Sequence, residues 1–336
     1  MENIFKNKII LVTGGCGSIG SQIVRELLSY EPEAIRIFER SETALFRLNQ
    51  EIQSKKIRYL IGDVCDRERL HQAMDGVNIV FHAAAMKHVP LCEYNPFEAV
   101  RTNVLGTHNL VDVARQHGVE RFVSISTDKA VNPTSTMGAT KLLGEKIVSN
   151  AAISHGKKIK FCCVRFGNVL ASSGSVIPVF EKQIKEGNAV TLTSEDMTRF
   201  FMGIDDAVRL VLKAAEYAQN GEIFILKMRA LKIRELAEVL VEELAPRYGK
   251  DPKGIEYKVI GLRPGEKLHE PLITEEESKY MGEMDGMYVL HNPALLDYGV
   301  SIPENTKEIV RSYTSNNVPH LSKGEIKDLL YAKNIL

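Results

Sequence analysis

The chain has 336 residues, 44% hydrophobic and 26% charged, so it is long enough to bury one large core or two unequal ones. Its 43 basic and 43 acidic residues cancel, and no basic stripe indicates a nucleic-acid partner. Because no apolar run approaches the roughly 20 residues of a membrane span and no signal peptide is recognisable, we expect a cytoplasmic protein without a membrane span.

The first predicted strand, Lys8 to Thr13, is an apolar, β-branched run that leads into a glycine-rich turn and then a periodic helix. This order suits a dinucleotide, since glycines let the backbone approach the pyrophosphate and the helix N-terminus binds its charge. An ordinary tight turn is the alternative interpretation. The predicted contacts are Gly14, Gly17, Ser18, Ile19 and Gly20.

The second predicted strand, Ala34 to Phe38, ends at Glu39, about 20 residues beyond the glycines, as in dinucleotide-binding folds. Glu39 would accept hydrogen bonds from the adenosine ribose, which favours NAD, whereas Arg40 would suit the 2'-phosphate of NADP. After a third strand at Ile57 to Ile61, Asp63 is expected either at the adenine edge or in a turn or helix cap. Further predicted cofactor contacts are Val64, Ala83 and Ala84.

Strands and helices continue to alternate, with later strands predicted at Ile79 to Ala83, Arg121 to Ser126 and Lys160 to Phe166. Such alternation predicts an α/β fold with a doubly wound parallel sheet covered on both faces. The pattern loosens after about Gly167, so we predict a Rossmann domain over 1–167 and a smaller, substrate-binding part over 168–336. Helices are predicted at Thr43 to Ser54, Phe97 to Gln116, Ser135 to Ser154 and Lys323 to Leu330.

The five cysteines are odd in number and have no C-x-x-C spacing, which fits a reducing cytoplasm and argues against zinc. No metal site is predicted. The cysteines are Cys16, Cys65, Cys92, Cys162 and Cys163.

Several motifs together resemble the extended short-chain dehydrogenase/reductase family, and more narrowly its UDP-N-acetylglucosamine 4,6-dehydratases of polysaccharide biosynthesis. The motifs are TGGCGSIG, GDVCD, HAAAMKHVP, RTNVLGT, STDKAVNP, MGATK, RFGNVLASSGSVIP, MTRFF and GLRPGEKLHE. The resemblance implies a UDP-N-acetylhexosamine substrate that is oxidised at C4, loses water across C5 and C6 and is reduced at C6 with bound NAD. It also implies a homodimer or larger homo-oligomer that pairs through the helices at 97–116 and 135–154.

The resemblance exposes one departure from the wider family, whose Y-x-x-x-K pattern supplies a catalytic tyrosine. Met137 stands at the tyrosine position here, and Lys141 follows at i+4 on the same helix face. A thioether cannot accept a proton at neutral pH. Lys141 is expected to bind the nicotinamide ribose, with a solvated helix lysine as the alternative.

Thr127, Asp128 and Lys129 at a strand end are the candidates for the missing acid/base work. By resemblance, Thr127 contacts the C4 oxygen, Asp128 is the acid for the leaving hydroxyl and Lys129 is the C5 base. Burial disfavours both charges, so we expect neutral lysine beside protonated aspartate. A surface ion pair is the alternative.

The resemblance also suggests residues for the nucleotide sugar. His88 is alternatively a structural histidine, Asn103 is expected to support the active-site helix, and each of the others is alternatively a surface residue. The predicted substrate contacts are Lys87, His88, Arg165, Asn168, Ser175, Arg199, Arg263 and Glu266.

Three functions stay open at this point. The first is a 4,6-dehydratase, for which Met137 favours retention over inversion at C5. The second is a nucleotide-sugar epimerase or reductase, which has no need of an acid/base pair for elimination. The third is a noncatalytic NAD-binding scaffold, which the Asp128-Lys129 pair and Lys141 disfavour.

Overall fold

The computed structural model describes residues 3–154, 159–170, 175–219, 221–294 and 312–336. Residues 171–174 of the motif RFGNVLASSGSVIP lie outside this part. The strands are β1 (Ile9–Thr13), β2 (Ala34–Glu39), β3 (Ile57–Ile61), β4 (Ile79–His82), β5 (Arg121–Ile125), β6 (Lys160–Arg165), β7 (Asn168–Val169), β8 (Val190–Leu192), β9 (Thr198–Met202), β10 (Glu222–Leu226), β11 (Ala230–Lys232), β12 (Tyr257–Val259), β13 (Pro271–Ile273), β14 (Met281–Met284), β15 (Met287–Leu290) and β16 (Tyr313–Thr314).

The helices follow the amphipathic segments between the strands. They are α1 (Ser18–Leu27), α2 (Glu42–Glu51), α3 (Arg67–Met74), α4 (Val89–Tyr94), α5 (Pro96–Val100), α6 (Gly106–Gln116), α7 (Thr136–Ser154), α8 (Val176–Glu186), α9 (Ile204–Tyr217), α10 (Ile233–Leu244), α11 (Glu275–Ser278) and α12 (Lys323–Ala332). The predicted helix at 97–116 is divided, because a π-helical turn at Arg101–Leu105 joins α5 to α6.

The central sheet of the described residues has nine strands in the order β14-β15-β10-β6-β5-β4-β1-β2-β3. Seven of them, from β10 to β3, run parallel, and β15 and β14 are antiparallel at one edge. The strand order reverses beside β1, which creates the crevice where open α/β sheets bind ligands. The predicted α/β fold is therefore confirmed, while the antiparallel edge was not predicted.

Helices cover the sheet in two layers. In one layer α1 packs against α9, and in the other α6 packs against α3 and α7. The middle of β1 is fully buried, as expected for a parallel strand with both faces covered.

A second apolar core lies among α8, α10 and α12 in the C-terminal half. The same half contributes β10, β14 and β15 to the central sheet. The division of the chain at residue 167 stays a prediction about function, because the sheet itself crosses that point.

Arg165 at the end of β6 joins the sheet to the C-terminal half. Its guanidinium donates to both carboxylate oxygens of Glu145 on α7, at 3.0 and 2.7 Å, and to both of Glu277 on α11, at 3.2 and 2.9 Å. It also donates to the Leu272 carbonyl. Because the side chain is 1% exposed and its donors are engaged, Arg165 has a structural role here, and its predicted substrate contact stays a prediction.

Replacing Arg165 with Met should lower the free energy of unfolding by about 3–5 kcal/mol, because the buried Glu145 carboxylate loses its partner. Arg25→Met is the control, since it breaks an exposed ion pair with Glu51 and should cost at most about 1 kcal/mol. Chemical denaturation of both variants measures the difference. Equal losses would contradict a structural role for Arg165.

Candidate active site

A cavity of about 600 Å³ lies at the carboxyl ends of the parallel strands. Most of the predicted site residues form its wall, although they are spread over more than 160 positions of sequence. These residues are Gly14, Gly17, Ser18, Ile19, Gly20, Glu39, Arg40, Asp63, Val64, Ala83, Ala84, Lys87, His88, Thr127, Lys129, Met137, Lys141, Asn168 and Ser175.

The glycine turn packs so closely against the loop at Ala84 that a larger side chain would not fit. Gly14 has φ +65°, and a Cβ there would lie 2.6 Å from the backbone of Ala84. A Cβ on Gly20 would lie 2.3 Å from the Gly14 carbonyl oxygen. α1 begins directly after Gly17, which provides no side-chain cap, so backbone N–H groups at this helix end face the cavity without a competing carboxylate. The turn therefore fits a dinucleotide pyrophosphate.

Two carboxylates stand beside the turn, each fixed by backbone N–H groups. Glu39 accepts from the N–H of Arg40 at 3.0 Å and of Ser41 at 3.3 Å. Asp63 accepts from the N–H of Cys65 at 2.8 Å, which is the turn role that the sequence left open for it. Both side chains are fixed at the cavity wall, where Glu39 suits a ribose diol better than a phosphate.

Thr127, Asp128 and Lys129 form a connected group just beyond β5, where a 3₁₀ turn spans Asp128–Ala130. The Thr127 hydroxyl donates to Asp128 Oδ1 at 2.8 Å, and Lys129 Nζ donates to the same oxygen at 3.0 Å. Asp128 has 0% exposure, and its Oδ2 has no hydrogen-bond partner among the described residues. Lys129 and Thr127 reach the cavity, while Asp128 lies behind them.

The electrostatics of this group correct one expectation. Burial alone lowers the pKa of Lys129, but the carboxylates of Asp128 and Glu270 outweigh burial and raise it. Nζ of Lys129 lies 3.0 Å from Asp128 and 3.6 Å from Glu270. The neutral lysine that we expected is therefore wrong for the ligand-free protein, in which Lys129 carries its proton.

Position 137, where the resemblance predicts that methionine replaces the tyrosine of the wider family, lies among apolar side chains. Met137 on α7 is buried with Cys92 and Ala99, and its side chain also lines the cavity. Four residues later, Lys141 Nζ donates to the Ile125 carbonyl at 2.5 Å, and burial lowers its pKa. Helix α7 thus keeps its lysine at the cavity but has no group at position 137 that can take a proton.

A polar network behind the cavity wall holds α7 in register. Asn103, in the π-helical turn, accepts from the Met86 N–H at 2.8 Å, and donates to the Met86 carbonyl and the Thr140 hydroxyl. His82, which sequence reasoning missed, bridges the hydroxyls of Thr13 and Thr107 at 2.8 and 2.9 Å. Burial, with Lys141 nearby, lowers the pKa of His82 to about 3, so its imidazole is neutral.

Besides Arg165, three predicted substrate contacts lie away from the cavity wall. Arg199 is buried and donates to the backbone carbonyls of Thr198, Lys267 and Leu268, and its role as a substrate contact stays a prediction. Arg263 is exposed on a loop, and Glu266 accepts from its backbone N–H at 3.2 Å. Roles for these two residues stay predictions.

The described part of the chain contains neither a membrane-spanning helix nor a metal-binding cluster of side chains. No helix there is long and apolar enough to cross a membrane. No group of three or more His, Cys, Asp or Glu side chains there is arranged to hold a metal ion.

The parallel sheet, the glycine turn and the lysine-bearing helix define an extended short-chain dehydrogenase/reductase. The model of a family described as polysaccharide biosynthesis proteins matches residues 10–292. The chain therefore belongs to this family.

Three curated relatives match along nearly their whole length. A Methanocaldococcus jannaschii protein, named as an uncharacterized membrane protein, is 55% identical over 98% of this chain and 97% of its own. A Campylobacter jejuni protein named UDP-N-acetylglucosamine 4,6-dehydratase (inverting) is 39% identical over 97% and 98%. A Rickettsia rickettsii protein named UDP-glucose 4-epimerase is 38% identical over 97% and 96%.

A solved structure shares the fold throughout. The X-ray structure of Pen from Bacillus thuringiensis has a TM-score of 0.91 and 41% identity, and the match covers 99% of both chains.

Replacing Gly14 with Ala should weaken NAD binding by roughly tenfold or more, because the new Cβ displaces the loop at Ala84 that faces the cofactor. Gly118→Ala is the control. Gly118 has a similar φ of +68° but nothing within 4 Å of the added Cβ, so it should cost about 1–2 kcal/mol of stability and no affinity. Calorimetric titration with NAD measures both, and equal affinities would contradict the assignment of the turn.

Proposed function

We propose that this protein is an NAD-dependent UDP-N-acetylglucosamine 4,6-dehydratase that retains the configuration at C5. The observation that carries the proposal is the Thr127-Asp128-Lys129 group, buried at the end of β5 and opening onto a cavity that fits a dinucleotide. The Campylobacter relative, which is named as an inverting UDP-N-acetylglucosamine 4,6-dehydratase, supports the substrate and the 4,6-dehydration but not the retention. Retention is inferred from Met137 and from the proton path described below.

NAD is the proposed cofactor, held by the glycine turn, by Glu39 at the adenosine ribose and by Lys141 at the nicotinamide ribose. When bound, it supplies oxidation at C4 and the later reduction at C6. The protein's own residues must then move the protons and orient the sugar.

The C4 hydroxyl needs a proton acceptor other than residue 137. Because the Thr127 hydroxyl already donates to Asp128 Oδ1 at 2.8 Å, it can accept a proton from the sugar while passing its own to the carboxylate. Asp128 receives this proton without contacting the sugar directly. The path replaces the tyrosine with a hydroxyl relay and a buried acid.

Elimination then uses the two ends of the same group. The C5 hydrogen is acidified by the neighbouring ketone, and Lys129 takes it as a neutral amine. The proton that Lys129 carries in the ligand-free protein has to leave to solvent before the first turnover, and the side chain is exposed enough for this. Asp128, now protonated, gives its proton to the departing 6-hydroxyl through the Thr127 hydroxyl. The pair ends as Lys129 ammonium and Asp128 carboxylate, which is the ion pair of the ligand-free structure.

Return of the proton from Lys129 to C5 closes the cycle. Lys129 becomes neutral again and Asp128 stays ionised, so both groups regain the states in which they began the turnover, and no proton is left over. Since one amine both removes and returns the proton on one face of the sugar, the C5 configuration is retained. An inverting enzyme would need a second donor on the opposite face.

The second candidate is a nucleotide-sugar 4-epimerase, which the name of the Rickettsia relative favours. An epimerase needs a base at the C4 oxygen but neither an acid at the 6-hydroxyl nor a base at C5. The buried Asp128-Lys129 pair has no purpose in that reaction, so we prefer the dehydratase.

Incubation of the protein with UDP-N-acetylglucosamine in deuterated water separates the candidates by mass and NMR spectroscopy. The dehydratase releases water and yields a 4-keto-6-deoxy sugar with deuterium at C5 in the retained configuration. A product with the inverted configuration at C5 would contradict the return of the proton from Lys129 to C5, but not the dehydration itself. An isomer of unchanged mass would identify the epimerase, and bound but unchanged substrate a scaffold.

Asp128→Asn or Lys129→Met should each lower the dehydration rate by roughly 10²–10⁴-fold, because each removes one partner of the proton transfer. NAD affinity should be unchanged, since neither side chain belongs to the proposed cofactor contacts. Steady-state kinetics and NAD titration provide the two readouts. Loss of NAD binding in parallel with activity would assign these residues to the fold instead.

Met137→Leu is the matched control on α7. It preserves the volume of a buried apolar side chain, so the rate should stay within roughly tenfold of the native rate, equivalent to less than about 1.5 kcal/mol. A loss as large as that of Lys129→Met would mean that the thioether itself takes part in the reaction.

A further inference from the structure

Glu270 is a buried carboxylate that the mechanism above does not use. It precedes β13 and is 3% exposed. Its backbone is fixed to Ser315 in both directions, since its N–H donates to the Ser315 hydroxyl and its carbonyl accepts the Ser315 N–H, both at 3.0 Å. The side chain is therefore held in place from the C-terminal half of the molecule.

The Glu270 carboxylate lies among three cations. Its Oε1 is 3.6 Å from Lys129 Nζ and 3.9 Å from Arg199 Nε, and its Oε2 is 3.6 Å from Lys267 Nζ. Lys267 is fixed by donating to the Val131 carbonyl at 2.7 Å. These cations repel one another in a buried setting, and Glu270 is the carboxylate that all three share.

The charges that face Lys129 come from every element packed around its amine. Asp128 lies on the 3₁₀ turn, Glu270 and Lys267 precede β13, and Arg199 lies on β9. Of these five residues, Lys129 is the one that lines the cavity. Glu270 therefore acts on the sugar, if at all, through Lys129.

We propose that Glu270 is a positioning residue for Lys129, an inference that rests on the proposed function. Glu270 holds the Lys129 amine beside Asp128 and at the cavity wall. It also offsets the positive charges of Arg199 and Lys267. With Glu270 neutral, the group would consist of Asp128 and three cations, and Lys129 would release its proton more readily. Glu270 thus couples the C-terminal half of the chain to the proton transfer.

The test is the protonation of Lys129, measured without turnover. Pulse acetylation over a range of pH, read by mass spectrometry of the peptide that contains Lys129, gives the pH at which the amine becomes reactive. In Glu270→Gln this midpoint should move to lower pH, because Glu270 raises the pKa of Lys129. For dehydration, kcat at its plateau should fall roughly 10–100-fold while KM changes little, since the amine is misplaced but no sugar contact is lost.

Glu276→Gln is the matched control, because it removes a Glu-Lys ion pair with Lys279 that lies in solvent on α11. Neither the acetylation midpoint nor kcat should change. Glu270→Asp keeps the negative charge but moves it farther from Lys129, because the side chain is one methylene shorter. Its acetylation midpoint should lie between those of the native protein and Glu270→Gln, and its kcat should be higher than that of Glu270→Gln. It also serves as the test if the Gln variant does not fold.

An unchanged or higher midpoint in a folded Glu270 variant would overturn the positioning role. That result is independent of the substrate: if the native protein does not dehydrate UDP-N-acetylglucosamine, the proposed function fails while the acetylation experiment still decides the role of Glu270.

Discussion

The structure depends on one constraint, the burial of the Asp128 carboxylate at the end of a central parallel strand. A carboxylate with 0% exposure costs several kcal/mol unless it is paired and hydrogen-bonded. Thr127 and Lys129 supply that pairing, and the Lys129 ammonium also lies 3.6 Å from Glu270. One buried charge therefore links the Rossmann sheet, the cavity and the C-terminal half. Loss of any member leaves another unpaired, which ties the integrity of the site to the packing of both halves.

The same group explains how the site tolerates Met137. In a tyrosine-containing relative, the acid/base group stands on the helix. Here position 137 is packed with Cys92 and Ala99, while the hydroxyl and carboxylate that can move a proton stand on the strand end. Lys141 keeps its place at the cavity because the π-helical turn and Asn103 hold α7. In the proposed mechanism, the proton path therefore runs through the strand end instead of the helix, within the same fold.

Local patterns predicted the elements of the Rossmann half to within a few residues. The alternating runs, the glycine spacing and Glu39 after β2 are short-range signals, because a parallel sheet brings strand ends to one edge whatever the loops contain. The failures involve long-range pairing. The structural role of Arg165 was not predicted because its partner Glu277 lies 112 residues away, and Glu270 was missed because a buried glutamate looks like a surface one in sequence. The protonation of Lys129 was also wrong, since it depends on that unseen carboxylate.

The most direct test of the central claim separates two proton transfers. The proposed mechanism assigns the transfer from the C4 hydroxyl to Thr127 and Asp128, and the transfer from C5 to Lys129. Lys129→Met, saturated with NAD and mixed rapidly with UDP-N-acetylglucosamine, is followed by the near-ultraviolet absorbance of reduced nicotinamide. Because the C4 step runs through Thr127 and Asp128, the absorbance should rise and persist while no dehydrated product forms. Absence of any reduced nicotinamide would contradict the account, since it would place Lys129 in the C4 step.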